Sequence, residues 1–317
     1  MSHRRGMFYA TGALLISGPP LLWVMSSVPV SPRGVVVAPV TRSYDQPSED
    51  SITDESPVVI ARATDKAASP IAATAKHASG PADRSAALGD LARRDPMELV
   101  HQGKVWYQQH VRGYRCTLVK QELLGDKLSE VQEIELRYRE QPRAVYMIWR
   151  LNADQARRAL YLDSREYVDK KGNKLARVEP NGAVARLFTK DIFLPVDGAE
   201  ARKASRRIIT EAGFATTFDL FETYNATAEQ RGVLDLKYDG TGAVDGRPTF
   251  VVVRHLPYEG PTGPYPDARL VMHIDQEWLL PVAVYSYADR AEKKLLGSYV
   301  FTKIELNPAF DGDDFAF

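Results

Sequence analysis

The sequence predicts an α+β domain, in which one strongly curved antiparallel sheet, or partial barrel, carries two amphipathic helices against its concave side. Three observations lead there. About ten short runs alternate apolar and polar residues and are separated by Gly, Asn or Asp turns, the pattern of consecutive hairpins. Two aromatic-rich segments instead repeat apolar residues at helical spacing. A sheet of consecutive hairpins with one apolar face leaves a concavity that side chains, a helix or a ligand must fill, and the two helices are the candidates for plug or lid.

The charge balance sets limits on function. The 317 residues hold 41 Lys+Arg against 41 Asp+Glu, which argues against binding nucleic acid through bulk positive charge. An apolar fraction of 44% with 26% charged residues is that of an ordinary globular protein rather than a disordered chain or a multi-span membrane protein. Cys116 is the single cysteine, so neither an intrachain disulfide framework nor a multi-cysteine metal site is available.

Composition divides the chain into three parts. Residues 1–30 open with His3, Arg4 and Arg5 and then run from Met7 to Met25 without a charge, broken by Gly18-Pro19-Pro20. This fits a cleaved signal peptide and also a retained membrane anchor of marginal length; either way the arginines stay cytoplasmic and the remainder is exported to the periplasm. Residues 31–94 are rich in Ala and Pro, with Tyr44 the one aromatic, and read as a disordered linker. The folded domain is expected over 95–317.

That domain opens on a helix. Asp95-Pro96-Met97-Glu98 supplies an N-cap carboxylate, a proline at the first helical position and a glutamate at the third. Leu99, Val100, Gly103, Trp106, Tyr107, His110 and Val111 share one face up to the stop at Gly113. Tyr114, Cys116 and Leu118 then alternate with Arg115, Thr117 and Val119 up to a turn at Gly125-Asp126. Ile134, Leu136 and Tyr138 alternate with Glu133, Glu135, Arg137 and Arg139, the clearest one-face-wet strand in the chain. Past Pro142, strands are expected at Val145–Trp149, Leu160–Val168 and Leu175–Glu179. Phe214, Phe218 and Phe221, with Leu220 and Tyr224, mark a second helix that stops at Gly232. Strands at Leu234–Tyr238, Thr249–His255, Arg269–Ile274, Val282–Tyr287 and Ser298–Leu306 follow, with turns at Asp239-Gly240, Asp245-Gly246 and Asp275-Gln276.

Several separated segments, in order, resemble an uncharacterised bacterial family that is similar to the LolA/LolB-like lipoprotein-carrier superfamily. They are Tyr114–Glu122, Gln132–Arg139, Val145-Tyr146-Met147 with Trp149, Leu160-Tyr161, Ser205–Gly213, Asp245–Pro248, Leu306–Phe310 and Asp313–Phe315. The resemblance covers roughly residues 96–317. It implies an open half-barrel whose apolar concave face is covered by helices and holds acyl chains or lipidated proteins. It also implies a second function, since some LolA-like domains sense envelope stress by binding signalling proteins without lipid cargo.

The residues themselves give little chemistry. No G-x-S-x-G elbow occurs, and Cys116 sits on the apolar alternation of a strand, where a buried inert thiol is the ordinary case. His255, His273 and Asp275 lie on adjacent strands but lack metal-ligand spacing, and Asp311, Asp313 and Asp314 lack the spacing of a calcium loop and read as a solvated tail held by Phe310, Phe315 and Phe317. No catalytic residue, metal or cofactor is therefore expected. Leu118, Leu136, Tyr138, Met147, Trp149, Phe218, Phe250 and Met272 are candidates to line a hydrophobic ligand cavity, although periodicity alone fits a filled core equally well. Arg206 and Arg207, in the run with Arg202 and Lys203, are candidate contacts for an anion such as a lipid phosphate. The expected partners are a lipid or lipidated protein and the inner membrane through the N-terminus, with no nucleic acid.

Overall fold

Strand alternation and two-residue turns dictate the architecture. The computed structural model describes residues 81–182 and 190–317, so the charge-free run Met7–Met25 and most of the linker lie outside it. Twelve strands form one antiparallel sheet: β1 (Gly113–Leu124), β2 (Lys127–Leu128), β3 (Gln132–Arg139), β4 (Ala144–Leu151), β5 (Ala156–Leu162), β6 (Leu175–Pro180), β7 (Ile192–Pro195), β8 (Asp235–Val244), β9 (Arg247–His255), β10 (Arg269–Asp275), β11 (Pro281–Tyr287) and β12 (Leu295–Leu306). Their order is β7-β6-β5-β4-β3-β1-β12-β11-β10-β9-β8, with β2 paired to β1 alone. Among the described residues β7 and β8 each pair on one side only, so the sheet is open.

From β3 to β7 and from β8 to β12 consecutive strands are neighbours, and one long-range pairing, β1 with β12, joins the two halves. Leu118 of β1 lies opposite Ile134 of β3 on one side and Phe301 of β12 on the other. Tyr138 faces Val145, Leu136 faces Met147 and Ile134 faces Trp149 across β3 and β4, which puts the apolar residues of the alternation on one face. Glu135 on the opposite face pairs with Arg137 and Arg150. The β8–β9 hairpin turns through Asp245 and Gly246, both at positive φ, as a two-residue hairpin requires.

Among the described residues four α-helices accompany the sheet: α1 (Pro81–Arg94), α2 (Pro96–His110), α3 (Ala199–Ala204) and α4 (Phe214–Gln230). The Asp95 carboxylate accepts the Glu98 backbone N–H at 2.9 Å, the cap expected from the sequence. Phe214 of α4 has ring centroids 4.6 Å from Tyr114 of β1 and 4.7 Å from Phe301 of β12, and Tyr107 of α2 lies edge-on to it at 6.3 Å. Gly213, with φ of 104°, starts α4 beside the Tyr114 hydroxyl, where a Cβ would collide with that oxygen. Gly103 similarly lets α2 approach the Leu279 backbone. None of the described helices is long and apolar enough to cross a membrane.

The structure corrects several expectations. The end of the predicted linker, Pro81–Arg94, is helix α1, with Leu88 and Ala92 buried and Leu91 packed on the core. Three apolar contacts on an Ala-rich helix suffice when a neighbour supplies the packing partner. The strand expected over Leu160–Val168 instead starts at Ala156 and ends at Leu162. The polar run Asp163–Glu166 cannot continue the apolar alternation, and a short 3-10 turn at Arg165–Tyr167 replaces it. Asp239-Gly240 is not a turn but a bulge inside β8, where the register shifts between Tyr238 and Thr241 and Gly240 takes φ of 98°. Asp314 is not solvated: it is buried and pairs with Arg115 and Arg137, while the Phe317 ring lies 4.7 Å from both the Arg158 and the Arg177 guanidinium.

A candidate ligand cavity

The apolar face of the sheet is not completely filled. A cavity of about 510 Å³ opens along it, within the range of pockets that take small ligands. Its floor is one stripe of inward positions running across the sheet: Leu194 of β7, Val178 of β6, Ala159 of β5, Met147 and Trp149 of β4, and Ile134 of β3. Leu118, Phe301, Val284 and Met272 continue the stripe through β1, β12, β11 and β10. Cross-strand registry explains the continuity, because Met147 pairs with Ala159, Ala159 with Val178, and Val178 with Ile192. Helix α4 contributes Thr217, Leu220, Phe221 and Tyr224, spaced i, i+3, i+4, i+7, and the segment 196–213 contributes several more, including Ile208 and Ile209.

Of the eight residues the sequence nominates for the cavity, the structure brings four to its wall: Leu118, Met147, Trp149 and Met272. Leu136, Tyr138 and Phe218 do not line it. They are fully buried among the packed side chains beneath α2 and α4, where Tyr138 stacks on Tyr114 at 4.9 Å. Phe250 is also packed away from it, edge-on to Tyr238 on the α1 side of the sheet. All four lie on the inward parity of their strands or helix, but closer packing there leaves no space. Arg207 lines the cavity, whereas Arg206 does not and reaches the Pro266 carbonyl instead.

Two buried polar groups at the wall, one reaching it through Lys120 and the other through Arg254, escaped the sequence reading. Lys120 and Glu122 follow Leu118 on the inward parity of β1, so both are buried. The Lys120 ammonium donates to Glu122 and to the Ser205 hydroxyl, each at 3.1 Å. Glu122 also accepts from Ser205 at 2.9 Å and from the Tyr299 hydroxyl at 2.6 Å. Burial opposes ionisation of Glu122, but the Lys120 charge and the bonds from Tyr299, Lys120 and Ser205 outweigh it and hold the carboxyl below the usual range. Burial, and then the adjoining Glu122 charge, push the Tyr299 hydroxyl well up, which keeps it a donor.

The second polar group is Arg254 of β9, which donates to both Asp267 oxygens at 2.9 and 3.0 Å and to Asn225 of α4 at 3.0 Å. Arg254 and Asp267 both reach the cavity wall. Period-2 parity was available as a signal for Lys120 and Glu122. None was available for Arg254, since β9 is buried on both faces from Thr249 to His255.

The other sequence candidates fall outside the cavity. Burial pushes the Cys116 thiol up, and it does not reach the wall. His255 meets Asp235 and Arg269, His273 meets Thr249, and Asp275 pairs with Arg247, so the three have separate partners.

Comparison with known proteins places the chain by sequence. No curated protein sequence matches it. Among solved structures it is similar to MucB, at 14% identity and a TM-score of 0.40, with 68% of this chain and 60% of that one covered. The chain therefore spans about three-fifths of the MucB length. It is also similar to the lipoprotein LppX of Mycobacterium tuberculosis, at 13% identity and a TM-score of 0.34, covering 68% of this chain and 98% of that one. A LolA superfamily protein of Nitrosomonas europaea gives 8% identity and a TM-score of 0.30, covering 69% and 97%. Residues 111–317, from the end of α2 through the C-terminus, match a family described as "Protein of unknown function (DUF1571)", and the chain belongs to that family.

Proposed function

We propose that this domain is a non-enzymatic, exported protein that binds a hydrophobic ligand, a lipid or the acyl chain of a lipidated protein, in the cavity on its sheet. The observation that carries the proposal is the uninterrupted apolar stripe from β7 to β10 with about 510 Å³ of space above it. Each buried CH₂ of an acyl chain contributes ~0.8 kcal/mol, so a chain of ordinary length is held by partition alone. Leu118, Met147, Trp149 and Met272 contact the chain. Helix α4 and the segment 196–213 form a cover that moves to admit it, while α2 packs over the filled part of the core. The uncharged run at the N-terminus delivers the domain to the periplasm and, if retained, keeps it at the inner membrane.

Filling the cavity tests this reading. Ala159 lies mid-stripe between Met147 and Val178, and its Phe variant projects a ring into the space. Ala159→Phe is expected to weaken binding of a fluorescent fatty acid at least tenfold while leaving the thermal midpoint unchanged or raised, because it replaces a void with apolar contact. Unaltered binding in a folded Ala159→Phe variant would place the ligand elsewhere.

A further inference from the structure

The cavity is mostly apolar but carries cationic side chains in its wall. Resting on the ligand-binding reading above, we propose that Lys120 and Arg207 form an anion site there, so that the ligand is an acyl amphiphile with a carboxylate or phosphate head. Lys120 lines the cavity with only 9% of its side chain exposed. An ammonium has three donors; Glu122 and Ser205 take two, and the third is left for a guest. Arg207 also lines the cavity, and among the described residues its guanidinium has no hydrogen-bonded or ion-paired partner. The Ser205 hydroxyl joins the two, accepting from the Lys120 ammonium at 3.1 Å and from the Arg207 backbone N–H at 3.4 Å.

The local charge favours an anion. Lys120 and Arg207 line the cavity with Glu211, Glu122 pairs with Lys120 behind the wall, and Lys203 is neutralised by Glu200 at 3.1 Å, while Arg206 lies close by outside the lining. The field of both arginines reaches the Tyr299 hydroxyl, which places them around the same polar group. The Glu122 carboxylate is bonded by Lys120, Ser205 and Tyr299, which leaves Arg207 as the cation of the wall without a paired carboxylate among the described residues. A buried ammonium with a spare donor next to an unpaired guanidinium suits a group with two or three acceptor oxygens. Leu118 follows Lys120 on the same face of β1, so an anchored head directs the chain along the apolar stripe.

The test compares chains of one length with different heads on the full-length protein: palmitate, monohexadecyl phosphate and hexadecanol, with inorganic phosphate alone as the chainless control. Palmitate or hexadecyl phosphate is expected to bind at least tenfold tighter than hexadecanol, the margin of a charge-assisted hydrogen bond. Arg207→Gln is expected to remove most of that margin while hexadecanol affinity stays within about twofold, and Arg207→Lys to restore part of it. Equal binding of hexadecanol and both anionic chains overturns the anion site and leaves the cavity reading standing. An equal loss of all three ligands in Arg207→Gln also overturns it, as does binding of inorganic phosphate without any of the chains. Failure of every chain to bind removes both readings.

Discussion

Replacing Asp267 with alanine is expected to cost about 3–5 kcal/mol of stability, because it leaves the buried Arg254 guanidinium without its counter-ion. The pair is almost completely enclosed, with side-chain exposures of 1% and 3%, so little solvent screens the charge that is left. Asn225 continues to accept one N–H from Arg254 but carries no charge. For a domain of this size the loss corresponds to a fall of roughly 10 °C in the thermal midpoint. The double variant Arg254→Met/Asp267→Leu removes both charges and keeps apolar volume, and it is expected to recover most of the loss. Urea unfolding of the three proteins checks this; a single variant within about 0.5 kcal/mol of the parent would show that the ion pair does not hold β9 to the 266–268 segment.

Lys120→Met is expected to be comparably damaging near neutral pH, at about 3–5 kcal/mol, for the corresponding reason at the other polar group. Glu122 is 1% exposed in its side chain, and without Lys120 it keeps only the neutral donors Ser205 and Tyr299. The pH dependence separates charge from packing. In the parent the folded-state pKa of Glu122 is depressed, so its contribution is present above the unfolded-state value and is lost as pH falls through the lower, folded-state value. In Lys120→Met burial acts unopposed by that cation and raises the carboxyl, which then protonates on folding at mildly acidic pH. The gap between variant and parent is therefore expected to narrow steadily as pH is lowered through the carboxylate range. Denaturant midpoints measured between neutral pH and about pH 4 report it. A gap that stays constant would assign the loss to the shape of the lysine stem rather than to its charge.

The parts of the fold that repeat locally were legible in the sequence. Alternation of Ile134, Leu136 and Tyr138 against Glu133, Glu135 and Arg137 fixed β3 and its inward face, since period 2 reports burial directly. The Asp95 cap and the phenylalanines at 214, 218 and 221 located α2 and α4 for the same reason. Elements whose order depends on a neighbour were not legible. Helix α1 has a weak apolar face, β7 is four residues long at a sheet edge, and β8 passes through an Asp-Gly pair that reads as a turn in isolation. The cavity lies beyond local pattern altogether. Leu136 and Met147 are cross-strand partners with inward side chains, yet one is core and the other is wall. The difference is made by what α2, α4 and the segment 196–213 bring over each, across large separations in sequence. Lys120 and Glu122 could have been found, because charged residues continuing the inward parity of Tyr114, Cys116 and Leu118 must be buried and must therefore pair.

The claim on which the rest depends is that the space above the β7–β10 stripe holds an acyl chain in the native protein. Organic extraction and mass spectrometry of full-length protein, purified without detergent, measures this most directly. The account predicts an acyl-chain lipid at near one molecule per chain in the parent protein, and its loss in Ala159→Phe. Preparations that are repeatedly free of lipid, and that take up no added palmitate, would contradict it.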